Sequence, residues 1–365
     1  MIVNKIWRRM YGRIDKFALR SDLQRRSEIA NNRSLKLGQV ELTKEEENRV
    51  KEIWGEKVCL MPFQAYKSFC GKFDPCYVPD DYYDYAEHVF NLRWAAFFLQ
   101  HKSNLKLIIP SENRAKVLLQ KIDGHFVNED NVEIAASEAK TILSNCPEFM
   151  AKVARGTGGG KGVQKIVWDN ISDKESVLKE IMEPIDMEYE YVLRQNDFMS
   201  MFNPDSVNTI RFVTLNINGS CTVLSAFLRM GTKGSYVDNL SGGGGVLVGI
   251  GQDGFLSEFG VDKHFSKKFE SPTGVAFKGV QIPNYEQIKS EIRGFHQRIP
   301  YANLIGWDVT LDETGNVIVI EVNLDSAVVE AHQIFNGPIF GDRLEEVMSY
   351  IESRKPLLKH QMIIY

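Results

Sequence analysis

The stretch GWDVTLDETGNVIVIEVN, residues 306–323, carries a carboxylate inside an apolar strand pattern: Val317, Ile318, Val319 and Ile320 run into Glu321, followed by Val322 and Asn323. Burying an unpaired carboxylate is costly, so something must compensate Glu321. A two-residue turn at Thr314-Gly315 would set Glu313 opposite Asn316 and Asp308 opposite Glu321. Side chains on a strand alternate faces, which groups Asn323 with Glu321 and turns Trp307, Val309, Ile320 and Val322 the other way. Asp308, Glu321 and Asn323 then form one oxygen-rich cluster, in which opposed carboxylates repel unless a divalent cation relieves them. Oxygen ligands without Cys or His favour Mg²⁺ or Mn²⁺ over zinc. A solvated acidic hairpin face is the alternative, and this stretch alone does not choose between the two.

The rest of the chain narrows the choice. With 365 residues, 43% hydrophobic and 25% charged, it has the composition of an ordinary globular protein with room for two or three packed subdomains. A net charge of -4 gives no global attraction to nucleic acid, and none is expected as a partner. The five cysteines, Cys59, Cys70, Cys76, Cys146 and Cys221, contain no CxxC pair, which argues against a disulfide framework or a zinc site and fits a reducing compartment. The opening MIVNKIWRRMYGRIDKFALRSDLQRR is basic but lacks the apolar core of a signal peptide, and no run of 18 apolar residues occurs, so a cytoplasmic location is expected. Its apolar residues, among them Ile6, Trp7, Met10 and Phe17, fall near helical spacing between arginines. Such a helix rests either on an anionic membrane surface or on its own domain with a solvated basic face.

Punctuation and periodicity give an α+β chain. Residues 1–104 form a mostly helical N-terminal region, with Thr43 and Glu46 as a capping box and an irregular segment from Pro62 to Pro79. NLKLIIP is strand-like and ENRAKVLLQKI helix-like. From there EFMAKVA, VQKIVW and EYEYVLRQ are strands, with a helix at DKESVLKEIMEP, closing a unit over 105–195. A β-rich unit over 196–365 follows, with strands at TIRFVTLNING, TVLSAFLRMG and GVLVGIGQDGFL, a helix near YEQIKSEIRGFHQRI, the acidic hairpin and a last helix at DRLEEVMSYIESR. Short antiparallel strands mixed with helices exclude a doubly wound parallel sheet.

MAKVARGTGGGKGVQKIV, residues 150–167, is the second unusual stretch. A glycine-rich loop between strands lets backbone N–H groups close around phosphate oxygens, with Lys152 and Lys161 adding charge on either side. It is neither GxxxxGK[ST], because Arg155 and Gly162 stand at the wrong places, nor GxGxxG, because Lys161 takes the last glycine place. Without HRD or DFG anywhere, a protein kinase is excluded. Arg211 and Arg229 lie on apolar strand patterns, where an arginine needs an anion, either a ligand's phosphate or carboxylate or a structural carboxylate. Asp238 and Asn239, beside the second glycine cluster, either hold ribose, metal or substrate or form an Asx turn. His332 and Gln333 follow the acidic hairpin closely enough to face the same cleft, or to be core residues.

A glycine flap between strands, a linking strand, and Asp paired with Glu-x-Asn on neighbouring strands together resemble the ATP-grasp fold. More closely, SVNTIRFVT, LRMG…VDN…GGG and GWDVTL…VIEVN resemble the sugar-transfer-associated branch of that superfamily, over about residues 105–345. The resemblance implies two α+β subdomains gripping ATP. It implies that Lys152 contacts nucleotide phosphate, that Gly156, Thr157, Gly158, Gly159 and Gly160 close over the β- and γ-phosphates, and that Asn239 joins the nucleotide site. It implies that the strand through Glu190, Val192 and Gln195 lies against adenine and ribose, and that Asp308, Glu321 and Asn323 hold Mg²⁺. Lys116 is the candidate for the superfamily's earlier nucleotide lysine. Arg211, Arg229 and Lys161 would act on the transferring phosphoryl group. The expected activity is a carboxylate–amine ligase working through an acyl phosphate on a surface polysaccharide precursor. A small-molecule or sugar kinase and a non-catalytic ATP-binding module are the alternatives.

Overall fold

The computed structural model describes residues 34–91, 98–99, 101–155, 162–183, 185–234, 245–324 and 328–361. The N-terminal basic segment, Gly156 to Lys161, and Asp238 with Asn239 lie outside them.

Three helices open the described chain: α1 (Lys44–Trp54), α2 (Met61–Cys70) and α3 (Asp80–Phe90). The expected capping box starts α1, where the Glu46 N–H donates to Thr43 Oγ1 and the Thr43 N–H to Glu46 Oε2 at 2.7 Å. The segment after Pro62, read as irregular, is largely α2; Pro62 in its first turn and Gly71 in the left-handed region at its end delimit it.

The next unit is a six-stranded antiparallel sheet with two helices. Its elements are β1 (Val117–Ile122), β2 (His125–Val127), β3 (Glu133–Ile134), α4 (Ala136–Asn145), β4 (Glu148–Val153), β5 (Val163–Val167), α5 (Lys174–Ile181) and β6 (Met187–Tyr191). Strand order is β3-β2-β1-β6-β4-β5. Leu119, Phe149, Ala151 and Tyr189 form a core with Leu143 of α4 and Ile181 of α5. Two expectations fail here. NLKLIIP is mostly a 3-10 helix, Lys102–Leu107, and ENRAKVLLQKI contains β1, because pairing with β2 and β6 on both sides overrides its helical spacing.

A short helix, α6 (Asp197–Ser200), leads into a seven-stranded antiparallel sheet ordered β11-β10-β9-β8-β7-β12-β13. These strands are β7 (Thr209–Ile217), β8 (Ser220–Met230), β9 (Val246–Ile250), β10 (Leu256–Val261), β11 (Lys267–Lys268), β12 (Leu304–Leu311) and β13 (Val317–Asn323). Three helices complete the chain: α7 (Tyr285–Gln297) between β11 and β12, then α8 (Val329–Asn336) and α9 (Leu344–Gln361) after β13. One sheet face packs Phe212, Leu228, Trp307 and Val309 against Ile288 and Ile292 of α7. The other packs Val213, Leu215 and Phe227 beneath α2, α3, α8 and α9. The N-terminal helices therefore belong to the core of the second sheet.

The acidic hairpin needs one correction. Its loop has three residues, Glu313 to Gly315, closed by an Asp312–Asn316 pair and allowed by Gly315 at φ 86. Asp312 makes the longer loop stable, accepting from the backbone N–H groups of Thr314 and Asn316 at 2.9 Å each. A bulge then intervenes between the pairs Val309–Val319 and Asp308–Glu321. The two one-residue offsets cancel, and Asp308 faces Glu321 as expected.

Candidate active site

Two sheet surfaces meet at a cleft. On the six-stranded sheet, Gln120 of β1 and Lys152 of β4 flank Glu188 of β6 in register, and Glu190, two residues on, shares its face. Lys152 Nζ reaches diagonally to Glu190 Oε2 at 2.5 Å, with both side chains largely buried. Gln120 donates to Glu188 Oε2 at 2.5 Å and accepts from Lys106 Nζ at 2.5 Å. Burial raises the Glu188 carboxyl first, and the charge of Glu190 adds to it, up to about 8. Burial acts the same way on Glu190, but the Lys152 ammonium reverses it and holds that carboxyl below its ordinary value.

Lys102 enters from the 3-10 helix. Its backbone N–H donates to the Ala154 carbonyl at 2.9 Å, which ties it to the end of β4. Burial lowers its ammonium, opposed by Glu321 and Glu190 and assisted by Lys152. These groups occupy one electrostatic neighbourhood, and the cleft that Lys102, Glu188 and Glu190 line is closed on the other side by Val319 and Ile320 of β13. The lysine beside Lys152 is thus Lys102, whereas Lys116 lines an adjoining opening with Tyr191 and Glu129 that shares Arg114 and Val117 with the cleft. Lys102 lies just before NLKLIIP, in the region read as mostly helical, and nothing local in the sequence ties it to Lys152; the 3-10 helix Lys102–Leu107 delivers both Lys102 and Lys106.

On the seven-stranded sheet, Asp308 is buried between two guanidiniums. Arg211, its cross-strand partner on β7, binds it through both Nε and Nη2, the latter at 2.8 Å, and Arg229 Nη1 reaches Oδ2 at 2.9 Å. Burial alone would raise the Asp308 carboxyl, but the two arginines pull it below its usual range. Glu321 opposite is raised, by burial and then by Asp308. The Asn323 amide nitrogen is buried with no hydrogen-bond partner.

This donor set fits a hard cation at Glu321 and Asn323: two oxygen ligands on one strand face, one an amide without a fixed partner for its nitrogen. Asp308, expected as a third ligand, already has both oxygens engaged by arginine. Among the described residues no group of three or more His, Cys, Asp or Glu side chains stands ready to hold a metal. Mg²⁺ held in part by protein and in part by phosphates and water matches such a sparse set.

The remaining candidates have clear placements. Gln195 lies at the junction of the two units, donating to the Asn208 carbonyl and Thr310 Oγ1 and accepting from the Asn208 N–H. Val192 is half-buried on the same linking stretch. His332 is fully buried with its ring 4.5 Å from Phe227 and Nδ1 at Ser225. Gln333 accepts from the Val78 N–H and donates to the Val78 carbonyl and Tyr66, joining α8 to the N-terminal helices. None of the five cysteines is in a disulfide, and among the described residues no helix is long and apolar enough to cross a membrane.

The family model described as sugar-transfer associated ATP-grasp matches residues 121–349. No curated protein matches the chain. Similar solved structures include N5-carboxyaminoimidazole synthetase from Staphylococcus aureus complexed with ADP, at 12% identity and TM-score 0.39 over 63% of this chain and 45% of that one. D-alanyl-alanine synthetase A from Vibrio cholerae is 12% identical at TM-score 0.40, over 74% of this chain and 67% of that one. The ATP-grasp ligase PsnB with its minimal precursor is 11% identical at TM-score 0.40, over 72% and 64%. The chain spans less than half the length of the first of these.

Proposed function

Because the chain belongs to the sugar-transfer associated ATP-grasp family, we propose that it is an ATP- and Mg²⁺-dependent carboxylate–amine ligase, joining an amine or amino acid to a carboxylate, with a surface glycan or its precursor as the acceptor class. The observation that carries this reading is the convergence of buried Arg211 and partly buried Arg229 on Asp308, opposite Glu321, with Lys102 in electrostatic reach of both Glu321 and Lys152. Cations on one side and oxygen donors on the other suit a phosphoryl group in transit.

In this reading Lys152 and Lys102 hold the nucleotide's phosphates, and Asp308 fixes both arginines in place. An acceptor carboxylate oxygen attacks the γ-phosphorus and ADP leaves, giving an acyl phosphate. The amine then attacks the acyl carbon, phosphate departs and the nitrogen loses a proton. Arg211 and Arg229 stabilise the negative charge that develops in both steps. Mg²⁺ at Glu321 and Asn323 would neutralise phosphate oxygens.

The test is ADP release from Mg-ATP with pooled amino acids and uronic acids, run beside Glu321→Ala. Substrate-dependent ADP that the variant loses supports a metal-dependent ATP-using enzyme, and hydroxamate formation with hydroxylamine identifies the acyl phosphate. Phosphorylated alcohol without hydroxamate would instead mean a kinase.

A further inference from the structure

Among the described residues, Glu188 is a buried acid of the cleft with no ion pair of its own. It stands in register between Lys152 on β4 and Gln120 on β1, yet Lys152 passes over it to reach Glu190. Gln120 donates to one Glu188 oxygen, and Lys106 secures the Gln120 carbonyl oxygen from the 3-10 helix. The other charged groups facing this corner are Lys102 and Arg114 at the cleft wall and Glu321 across it on β13. Two carboxyls two residues apart on one strand face thus share a single ammonium that the proposed reaction needs elsewhere.

The proton on Glu188 decides how that ammonium is held. With Glu188 protonated, its O–H can donate to the Glu190 carboxylate, and Glu190 keeps a partner when Lys152 turns away. With Glu188 ionised, two buried carboxylates depend on Lys152 together. Burial and the Glu190 charge push Glu188 up to about 8, so the exchange between these forms falls in an accessible range.

We propose that Glu188 is a positioning residue for the nucleotide: in its acid form it takes over Glu190 from Lys152 and so releases the Lys152 ammonium to the phosphates. The inference rests on the ATP-using reading above. It assigns Glu188 a role exercised through Glu190 and Lys152.

The experiment is calorimetric titration of the full-length protein with MgADP from about pH 7 to about pH 9, beside Glu188→Gln. One linked proton weakens binding by up to about tenfold per pH unit above the group's midpoint. The expected result is loss of affinity for the wild type above about pH 8, with proton uptake on binding. Glu188→Gln, whose amide can donate to Glu190 at every pH, should bind as tightly as the wild type does near pH 7 and stay flat. A flat wild-type profile overturns the proposal without involving the variant. The same slope in Glu188→Gln also overturns it and assigns the proton to Lys102 or Lys106, both lowered by burial. No MgADP binding at any pH defeats the ATP-using reading itself, which separates the two failures.

Discussion

The Asn91 amide nitrogen donates to the carbonyl of Leu324, 2.7 Å away and 233 residues along the chain. The same nitrogen reaches the Leu304 carbonyl at 2.7 Å, and Asn91 Oδ1 accepts from the N–H groups of Asn303 and Leu304. One buried side chain at the end of α3 therefore fixes the start of β12 and the residue next to Asn323. Asn91→Ala would leave several buried backbone groups unsatisfied and should destabilise the fold by about 3 kcal/mol, read as a lower midpoint in urea unfolding. A change below about 0.5 kcal/mol would show that the clamp contributes little.

Arg211→Ala strands the buried Asp308 charge with Arg229 alone. Breaking one member of such a set should cost about 3–5 kcal/mol and abolish ADP release. Because the Asp308 carboxyl is lower folded than unfolded, its contribution is full above the ordinary carboxylate range and is lost as pH falls through and below it. Wild-type stability should therefore fall below about pH 4, and Arg211→Ala should show a shallower acid limb.

His296 is buried, with Nδ1 at Thr214 Oγ1 at 2.6 Å and Nε2 at the Ala302 carbonyl at 2.9 Å. Burial lowers it from 6.5 to about 4, only partly opposed by the Ala302 bond. The unfolded chain takes up this proton first, so stability is lost as pH falls from about 6.5 to about 4, by about 3 kcal/mol in all. Imidazole proton shifts followed by NMR should keep this ring neutral until near pH 4. A midpoint near 6.5 would contradict it.

Gly315→Ala isolates backbone strain. A Cβ there meets nothing within 4 Å, but φ is 86, so the substitution should cost about 1 kcal/mol through conformation alone. Thermal unfolding of the two proteins measures it.

The strands of the second unit were legible because their apolar alternation is strong, and Asp308, Glu321 and Asn323 stood out as polar breaks in it. Lys152 was legible beside its glycine loop. Glu188 and Gln120 were not, since a Glu-x-Glu or a lone Gln on a short strand carries no signal until two neighbouring strands bring them together. Lys102 is hidden because a long-range contact, its N–H on the Ala154 carbonyl, is what brings it beside Lys152, and β1 is hidden by helical spacing that sheet pairing overrides. The place of the N-terminal helices could not be read at all, because the residues that dock them, Asn91 and Gln333 among them, find partners more than 200 positions away.

The two irregularities of the acidic hairpin are independent in length. Removing one residue from the 313–315 loop leaves the Asp312–Asn316 pair closed by a two-residue turn, and deleting Ile320 alone makes Val309–Val319 and Asp308–Glu321 consecutive pairs of a regular ladder. Either change keeps Asp308 opposite Glu321, so the hairpin can lose a residue at its tip or at its bulge without turning the acid to the other face.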